Sequence, residues 1–227
     1  MKILIVSATE KEILPVKKNL KINVSNACMM KYTVVKDLVV DYLITGVGCT
    51  FTTYALSQKL QAKKYDLVIN AGIAGSFNPN LKIGDVVWVE QDEFAGLGIE
   101  DGNSFYTLFD KKFLDSNDFP FKNGQLVNPN QFKQNVFQSL KSVKAITSDI
   151  THGNEDSIEK IKQKFSADIE TMESAAFFYV CLKEGVRFMA IRAISNFVEE
   201  RNSQNWNIPL AIKNLNHKLL EIINVYK

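Results

Sequence analysis

Four charged side chains follow or interrupt short apolar runs of the sequence, where buried strands would bring them together. Glu10, Glu12 and Glu173 each stand beyond such a run, and Arg192 lies inside another. Burying an arginine is costly unless a carboxylate meets it, so we expect Arg192 to lie near at least one of these acids. Carboxylates around a cation are typical of acid–base sites. A structural ion pair explains the same pattern, and both interpretations stay open here.

Two glycine-containing segments predict close approach of the backbone to a ligand. Gly46 and Gly48 have the beginning of a dinucleotide fingerprint, but Phe51 occupies the place of its third glycine. We therefore expect a tight strand-to-helix turn instead of a Rossmann cofactor site. Residues 70–76, Asn-Ala-Gly-Ile-Ala-Gly-Ser, follow an apolar run and predict a turn where ligands of open α/β sheets collect. A turn selected only for close packing is the alternative.

Two further segments place polar side chains at the ends of predicted strands. Residues 169–173, Ile-Glu-Thr-Met-Glu, lead into an apolar helix, and a carboxylate there could accept hydrogen bonds from sugar hydroxyls. A helix N-terminus that favours an acid explains Glu173 but not the whole cluster. Residues 192–196, Arg-Ala-Ile-Ser-Asn, end another apolar run.

The composition excludes several classes of protein. The 227 residues are 46% hydrophobic and 23% charged, as in ordinary globular chains, and a net charge of +2 gives no basic surface for nucleic acid. Three cysteines and two histidines fit neither a disulfide framework nor a zinc site, and the cysteines indicate a reducing compartment. No apolar run is long enough to span a membrane, and the first residues do not resemble a signal peptide. We expect a cytoplasmic protein without a metal or cofactor.

Arginine is scarce in this chain. Of 27 cationic residues 24 are Lys, and the three arginines are Arg187, Arg192 and Arg201. Arginine is the preferred side chain for bidentate capture of phosphate or carboxylate. A site that needs such capture must therefore draw on these three, although the skew itself is also explained by genome composition.

The elements that would position these side chains alternate along the sequence. Apolar runs predict strands at residues 3–6, 41–44, 67–70, 86–89, 144–147, 168–171 and 188–194. Longer patterns predict helices at residues 11–20, 50–62, 155–165, 173–183 and 208–226. Residues 92–130 are rich in glycine and proline and predict loops. This alternation favours an α/β fold with a largely parallel sheet, and we expect one domain over residues 1–227.

Taken together, these segments resemble the nucleoside phosphorylase and nucleosidase family, in the order found in its methylthioadenosine/S-adenosylhomocysteine nucleosidases. Residues 7–12 are similar to its water-activating loop, residues 46–48 and 70–75 to its ribose and base loops, residues 172–173 to its ribose-binding Met-Glu pair, and residues 192–196 to its base-recognition strand. The resemblance implies a single domain with a mixed central sheet flanked by helices. It also implies a homodimer or larger homo-oligomer.

The resemblance also implies a role for each site residue. Glu12 would deprotonate the attacking water, Arg192 would hold Glu12 in place and ionised, and Glu173 would accept from the ribose hydroxyls. Met172 would pack on the sugar, and Asn196 would stabilise the departing base. The implied reaction is hydrolysis of an N-glycosidic bond, with a small nucleoside and water as the only partners.

The remaining implied contacts surround the base and the 5′ substituent: Ala74, Gly75, Thr151, His152, Trp206 and Arg201. Trp206 would close the pocket around the 5′ substituent, and Arg201 would pair with a carboxylate there. A solvent-exposed Arg201 and a surface position for His152 are the alternatives.

Asn196 departs from the adenine-specific members of this family, which carry Asp at that place. An Asp can donate to N7 of the base and accept from an exocyclic amine, whereas an Asn amide N–H donates to N7 or O6. Residues 75–77, 94–101 and 170–178 resemble the branch of the family that hydrolyses a 5′-modified inosine. The expected substrate is therefore a 6-oxopurine nucleoside, and retained adenine specificity is the alternative.

Two other functions compete with hydrolysis. A purine nucleoside phosphorylase needs a phosphate site, and members of the family that perform phosphorolysis typically bring arginines from their N-terminal half, where this chain has none. A catalytically silent nucleoside-binding protein would not need Glu12, Glu173 and Arg192, which are all present. The sequence therefore favours a hydrolase.

Overall fold

The computed structural model describes residues 1–20 and 38–227 and the backbone of residues 32–35; Cys28 lies outside this part of the chain. Its strands are β1 (Lys2–Ser7), β2 (Tyr32–Val35), β3 (Leu38–Ile44), β4 (Leu67–Ser76), β5 (Val86–Phe94), β6 (Gly98–Asp101), β7 (Ser104–Thr107), β8 (Leu126–Val127), β9 (Lys141–Thr147), β10 (Ile169–Thr171) and β11 (Phe188–Phe197). Its helices are α1 (Glu10–Asn19), α2 (Cys49–Ala62), α3 (Asn135–Gln138), α4 (Glu155–Lys164), α5 (Ser174–Lys183) and α6 (Ile208–Asn224).

Within the described residues, nine strands form one sheet in the order β10-β9-β5-β11-β4-β1-β3-β2, with β8 paired to β5. Strand β10 also pairs antiparallel with β4, through Ile169 opposite Ser76 and Glu170 opposite Gly75. The strands β4, β11, β5, β9 and β10 therefore form a closed ring. The candidate site lies at one rim of this ring.

The sheet is mixed, as the family resemblance implied, although its longest pairings, β4 with β11 and β5 with β9, are parallel as the alternation of elements predicted. Strand β5 runs antiparallel to β11, whereas β4 runs parallel to β11. The chain passes from β4 to β5 without a helix. A short connection of this kind returns the chain from the end of the sheet at which it left, so the second strand runs in the opposite direction.

Two layers of helices cover the sheet. Alternate residues of β1 face opposite layers: Leu4 and Val6 pack with the α2 and α5 side chains, and Ile3 and Ile5 pack with those of α1 and α6. This double burial explains why the central strands read as continuous apolar runs in the sequence. No helix among the described residues is long and apolar enough to cross a membrane.

Several predicted strands are longer in the structure. The predicted turn at residues 71–75 is part of β4, which runs to Ser76. It stays extended because β11 pairs with it along its whole length and β10 pairs with its last two residues. The small side chains of this segment let the polar groups of both neighbours approach one another. Residues 92–130 are mainly loops with three short strands, close to the prediction.

Candidate active site

A cavity of about 340 Å³ opens where β1, β4, β10 and β11 end. Every predicted site residue lines this cavity except Arg192 and Arg201. Its volume lies in the range of small-molecule sites. We call the part around Glu12 and Glu173 the sugar end, and the part around His152, Glu170 and Asn196 the base end.

Glu12 is buried at the sugar end, and hydrogen bonds fix both of its carboxylate oxygens. Its Oε2 accepts from the Ser7 hydroxyl at 3.0 Å, the Thr9 backbone N–H at 2.8 Å and the Thr9 hydroxyl at 2.9 Å. Its Oε1 accepts from the Ile73 N–H at 3.3 Å. Because Oε2 is saturated, Oε1 is the oxygen with a lone pair left for a water molecule.

Arg192 lies behind Glu12, fully buried, but it does not hold Glu12 by a hydrogen bond, contrary to the prediction. Its guanidinium donates to the side chain and the carbonyl of Asn70 and to the Ile191 carbonyl. Asn70 stands two residues before Gly72 on β4. It accepts the hydrogen bonds from the guanidinium N–H groups that we expected to reach Glu12. The arginine therefore acts on Glu12 through charge.

Gly72 lies between Glu12 and Arg192, and because it has no side chain, the two charged groups can lie close together. A Cβ at this position would come within 3.1 Å of Glu12 Oε1 and 3.7 Å of the guanidinium carbon. Burial lowers the pKa of Arg192, and the charges of Glu173 and Glu12 oppose that shift. One buried cation thus serves both carboxylates of the sugar end.

Glu173 stands at the start of α5, and its Oε1 accepts from the Gly48 backbone N–H at 3.2 Å. Burial raises the pKa of Glu173, while Arg192 and this N–H favour its charged form. Gly48 has φ of 102°, a left-handed conformation that favours glycine. The Gly46–Gly48 turn therefore positions a carboxylate with its backbone, and Val47 between the glycines lines the cavity.

A buried polar network lies beneath the sugar end. The Thr147 hydroxyl donates to Asp92 Oδ1 at 2.9 Å and lies 2.9 Å from the hydroxyl of Thr171, a cavity residue. Asp92 Oδ2 has no hydrogen-bond partner among the described atoms. Burial raises the pKa of Asp92 to about 8, against the opposing effects of Thr147 and Arg192. Burial thus favours the neutral form of Asp92.

At the base end, the amide of Asn196 has a fixed orientation. Its Nδ2 lies 2.9 Å from the Phe197 carbonyl, which can only accept, so the nitrogen must face that oxygen. Its Oδ1 accepts from the Ser195 hydroxyl at 2.7 Å. The second N–H of the amide is left to donate into the cavity.

His152 is not on the surface, contrary to the alternative interpretation of the sequence. Its ring and the Glu170 carboxylate are 7% and 5% exposed, and both line the cavity. His152 Nδ1 bonds to Glu170 Oε2, and the His152 backbone N–H donates to Glu170 Oε1 at 3.1 Å. The Glu170 carboxylate therefore fixes both the ring and the backbone of His152.

Trp206 lines the cavity, whereas Arg201 stands outside it. The Arg201 guanidinium lies 5.2 Å from the Trp206 ring centre and donates to the Thr151 hydroxyl at 3.2 Å. Its side chain is exposed, in agreement with the alternative interpretation. Arg201 therefore touches two residues of the cavity wall but not the cavity itself.

Glu10 does not belong to the acidic cluster, contrary to the prediction. It pairs with Lys17 at 2.5 Å on the surface of α1, and its side chain is 58% exposed. Cys49 lies near Glu173 as a free thiol, and burial together with Asp149 raises its pKa to about 12. A neutral thiol is a poor nucleophile, so the carboxylates are the reactive groups.

Comparison with known proteins shows the family to which this chain belongs. The model of the phosphorylase superfamily matches residues 2–224. The chain belongs to the phosphorylase superfamily. It is 31% identical to the 5′-methylthioadenosine/S-adenosylhomocysteine nucleosidase of Haemophilus influenzae (strain PittEE), over 83% of this chain and 82% of that relative. It is 26% identical to the futalosine hydrolase of Thermus thermophilus, over 77% and 76% of the two chains.

Of these two relatives, one is a nucleosidase and the other a hydrolase by name. The native structure of futalosine hydrolase from Helicobacter pylori has the same fold, with a TM-score of 0.79 over 99% of this chain and 97% of that one. The sequence identity in that comparison is 18%, so the match concerns the fold. The expected α/β fold with a mixed sheet flanked by helices is confirmed.

In this member of the phosphorylase superfamily, sequence reasoning missed Ile208 and Ile212 as cavity residues and gave no individual role to others that lie inside the segments it singled out: Lys11, Val47, Glu170 and Ser195. A signal existed for Glu170, because it stands two residues before Met172, and alternate residues of an extended segment face the same side. Ile208 and Ile212 are four residues apart on α6, so they share a helix face. No comparable signal distinguished Lys11 from the other lysines.

Proposed function

We propose that this chain is a futalosine hydrolase, which cleaves the N-glycosidic bond of futalosine to hypoxanthine and dehypoxanthine futalosine in menaquinone biosynthesis. The orientation of the Asn196 amide is the observation that carries the choice of base. It presents an N–H to the cavity, and both N7 and O6 of hypoxanthine are acceptors. The exocyclic amine of adenine would meet a second donor there. The futalosine hydrolase from Thermus thermophilus supports the same choice.

In the proposed reaction, the sugar end supplies the chemistry. Glu12 takes a proton from water through Oε1, the oxygen with a lone pair to spare. Glu173 accepts from the ribose hydroxyls and stabilises the positive charge that develops on the sugar. Met172, which lines the cavity, packs against the ribose. The charge of Arg192 favours the ionised form of Glu173.

At the base end, Asn196 stabilises the leaving hypoxanthine by donating to N7 or O6. Ala74, Gly75, Thr151 and His152 line the space around the base. Trp206 covers the side of the 5′ substituent. Arg201, which stacks on Trp206, can pair with a carboxylate on the substrate that protrudes from the cavity.

The positions of the arginines favour hydrolysis over phosphorolysis. No arginine is among the described residues that line the cavity, and Lys11 is the only lysine there. Arg192 is fully buried behind the cavity wall and does not line the cavity, so its guanidinium is not presented to a phosphate there. Water is therefore the proposed nucleophile.

A test is chromatography of the bases released from futalosine, inosine and methylthioadenosine, with and without phosphate. We expect hypoxanthine from futalosine at a rate that does not depend on phosphate. Faster release of adenine from methylthioadenosine would instead support the activity of the Haemophilus influenzae relative. Release that requires phosphate would support a phosphorylase, and binding without turnover would support a nucleoside-binding protein.

We also propose a homo-oligomer. Val47, Phe51 and Tyr54 are exposed apolar or aromatic side chains on and after the glycine turn at the cavity. Such a patch favours burial against a second subunit. Sedimentation of the purified protein tests this proposal, and a monomer at micromolar concentration contradicts it.

A further inference from the structure

The pair formed by Glu170 and His152 has no role in the reaction proposed above. Both side chains line the cavity and are nearly completely buried. A buried carboxylate against a buried imidazole is costly to keep unless the pair is well bonded. The Glu170 carboxylate meets this need with two bonds to one residue, the ring and the backbone N–H of His152.

In the sheet, one glycine, Gly75, lies between Glu170 and Asn196. In the sheet, Glu170 is opposite Gly75 on one side, and Asn196 is opposite Gly75 on the other. Residues in register on neighbouring strands project to the same face, and two strand spacings separate them by about 9.5 Å. Gly75 has no side chain, and the side chains of Val198 and Asn196 pack over it: a Cβ there would come within 2.8 Å of Val198 Cγ2 and 3.2 Å of Asn196 Nδ2. Asn196, Glu170 and His152 all line the cavity, so a flat ligand bound between them would have Asn196 at one edge and the Glu170–His152 pair at the other.

The contact with Glu170 favours one tautomer of the His152 ring. An ionised carboxylate only accepts, so His152 Nδ1 carries the hydrogen that bonds to Glu170 Oε2. In the neutral ring, Nε2 is then an acceptor. Nε2 makes no hydrogen bond within the described part of the chain, although His152 lines the cavity. The pair thus offers the ligand an acceptor, opposite the donor offered by Asn196.

We propose that His152 Nε2, oriented by Glu170, accepts a hydrogen bond from N1–H of the bound 6-oxopurine base. This inference rests on the proposed function, because it names how that same site recognises its base. A 6-oxopurine has a donor at N1 and acceptors at O6 and N7, which match His152 and Asn196. Adenine has an acceptor at N1, which would face the lone pair of Nε2. His152 is then a specificity-determining residue and Glu170 a positioning residue.

Glu170→Gln provides a sharp test, because it should reverse the polarity of His152. The His152 backbone N–H needs an acceptor, so the Gln oxygen must take that position, and the Gln amine must face Nδ1. Nδ1 then becomes the acceptor, and the proton moves to Nε2. The ring would present a donor to the base and favour N1 of adenine.

The measurement is the affinity for free hypoxanthine and free adenine by calorimetry, which needs no turnover. The unaltered protein should bind hypoxanthine at least about tenfold more tightly than adenine, since an unmatched buried polar group costs about 1–3 kcal/mol. Glu170→Gln should lower this ratio at least about tenfold. The proposal is overturned if the unaltered protein does not prefer hypoxanthine, or if the variant keeps the original ratio.

Two further variants keep the test independent of folding. His152→Phe retains a ring but removes both nitrogens, and the ratio should fall by about tenfold, while the contribution of Asn196 to the choice of base remains. An unchanged ratio in this variant overturns the proposal. Glu93→Gln is the matched control: Glu93 is a partly buried glutamate of β5 that accepts from Gln125 at 3.0 Å outside the cavity. Its ratio should equal that of the unaltered protein.

A merely structural pair would behave differently. If the pair were only structural, Glu170→Gln would lower the thermal stability of the protein. It would also weaken the binding of hypoxanthine and adenine equally, so the ratio of their affinities would not change. Failure of the proposed function is separate, because it would appear in the chromatography of products, as faster adenine release from methylthioadenosine, as a need for phosphate, or as no hydrolysis. The base ratio remains measurable in that case.

Discussion

The two ends of the cavity hold their polar side chains in different ways. At the sugar end, backbone N–H groups and short hydroxyls hold Glu12 and Glu173, and a buried cation stands behind them. At the base end, the groups that are held can act as donors or acceptors: the His152 ring bonds to Glu170, and the Asn196 amide bonds to the Phe197 carbonyl. A carboxylate held by backbone N–H groups acts only as a hydrogen-bond acceptor. At the base end, by contrast, the placement of a proton or an amide nitrogen decides which base fits.

The largest effect should come from the sugar end, where a single oxygen is proposed to activate water. Glu12→Gln should lower the rate of hydrolysis by about a thousandfold, because general-base catalysis contributes 10²–10⁴-fold. Binding of free hypoxanthine should change little. The control is Glu10→Gln, two residues earlier on the exposed side of α1, which should keep full activity. Comparable losses in both variants would refute the role of Glu12.

A change at the base end should alter the choice of substrate more than the rate. Asn196→Asp replaces a fixed N–H donor by a group that accepts from an exocyclic amine. We expect the ratio of kcat/KM for futalosine over methylthioadenosine to fall by about a hundredfold, since sites that pair a polar substrate group discriminate strongly. Equal loss for both substrates would show that Asn196 does not select the base.

The same contrast explains what the sequence could predict. The sugar end was predictable because its residues lie in short contiguous segments: Glu12 is three residues from Thr9, which holds it, and Gly48 follows a visible glycine turn. The base end was predicted less well, since Glu170 and Asn196 meet only through their shared neighbour Gly75.

Arg192 shows another limit of sequence reasoning. Its burial was predictable from the apolar run around it, but its partners were not. Asn70 is 122 positions away in the chain and takes the guanidinium N–H groups because β4 and β11 are adjacent. The prediction of mixed strand directions likewise came from the family resemblance, since apolar runs carry no direction.

A smaller effect is expected at the rim of the cavity. Arg201→Ala should raise KM for futalosine by about tenfold, the value of one charge-assisted hydrogen bond, and leave KM for inosine unchanged. Arg187→Ala is a matched control, because Arg187 also stacks on an aromatic ring and donates to an oxygen, but far along the fold on Phe132 and Gln131. Equal effects on futalosine and inosine would contradict contact with the 5′ arm.

The smallest effect concerns stability beneath the sugar end. Burial raises the pKa of Asp92 to about 8, whereas an unfolded Asp has a pKa of about 3.9. Between these values the folded chain binds a proton that the unfolded chain lacks, so the free energy of unfolding falls as pH rises, by up to about 1.4 kcal/mol per unit. Asp92→Asn removes this dependence.

Relative to the unaltered protein, Asp92→Asn should therefore gain at least about 1 kcal/mol of stability between pH 5 and pH 8, measured by urea unfolding at each pH. Asp110→Asn is the control, because Lys164 lowers the pKa of this exposed acid and it stays ionised in both states throughout that range. A gain in Asp92→Asn that does not grow with pH would mean that Asp92 is ionised in the folded protein. The sugar end would then rest on three carboxylates around Arg192.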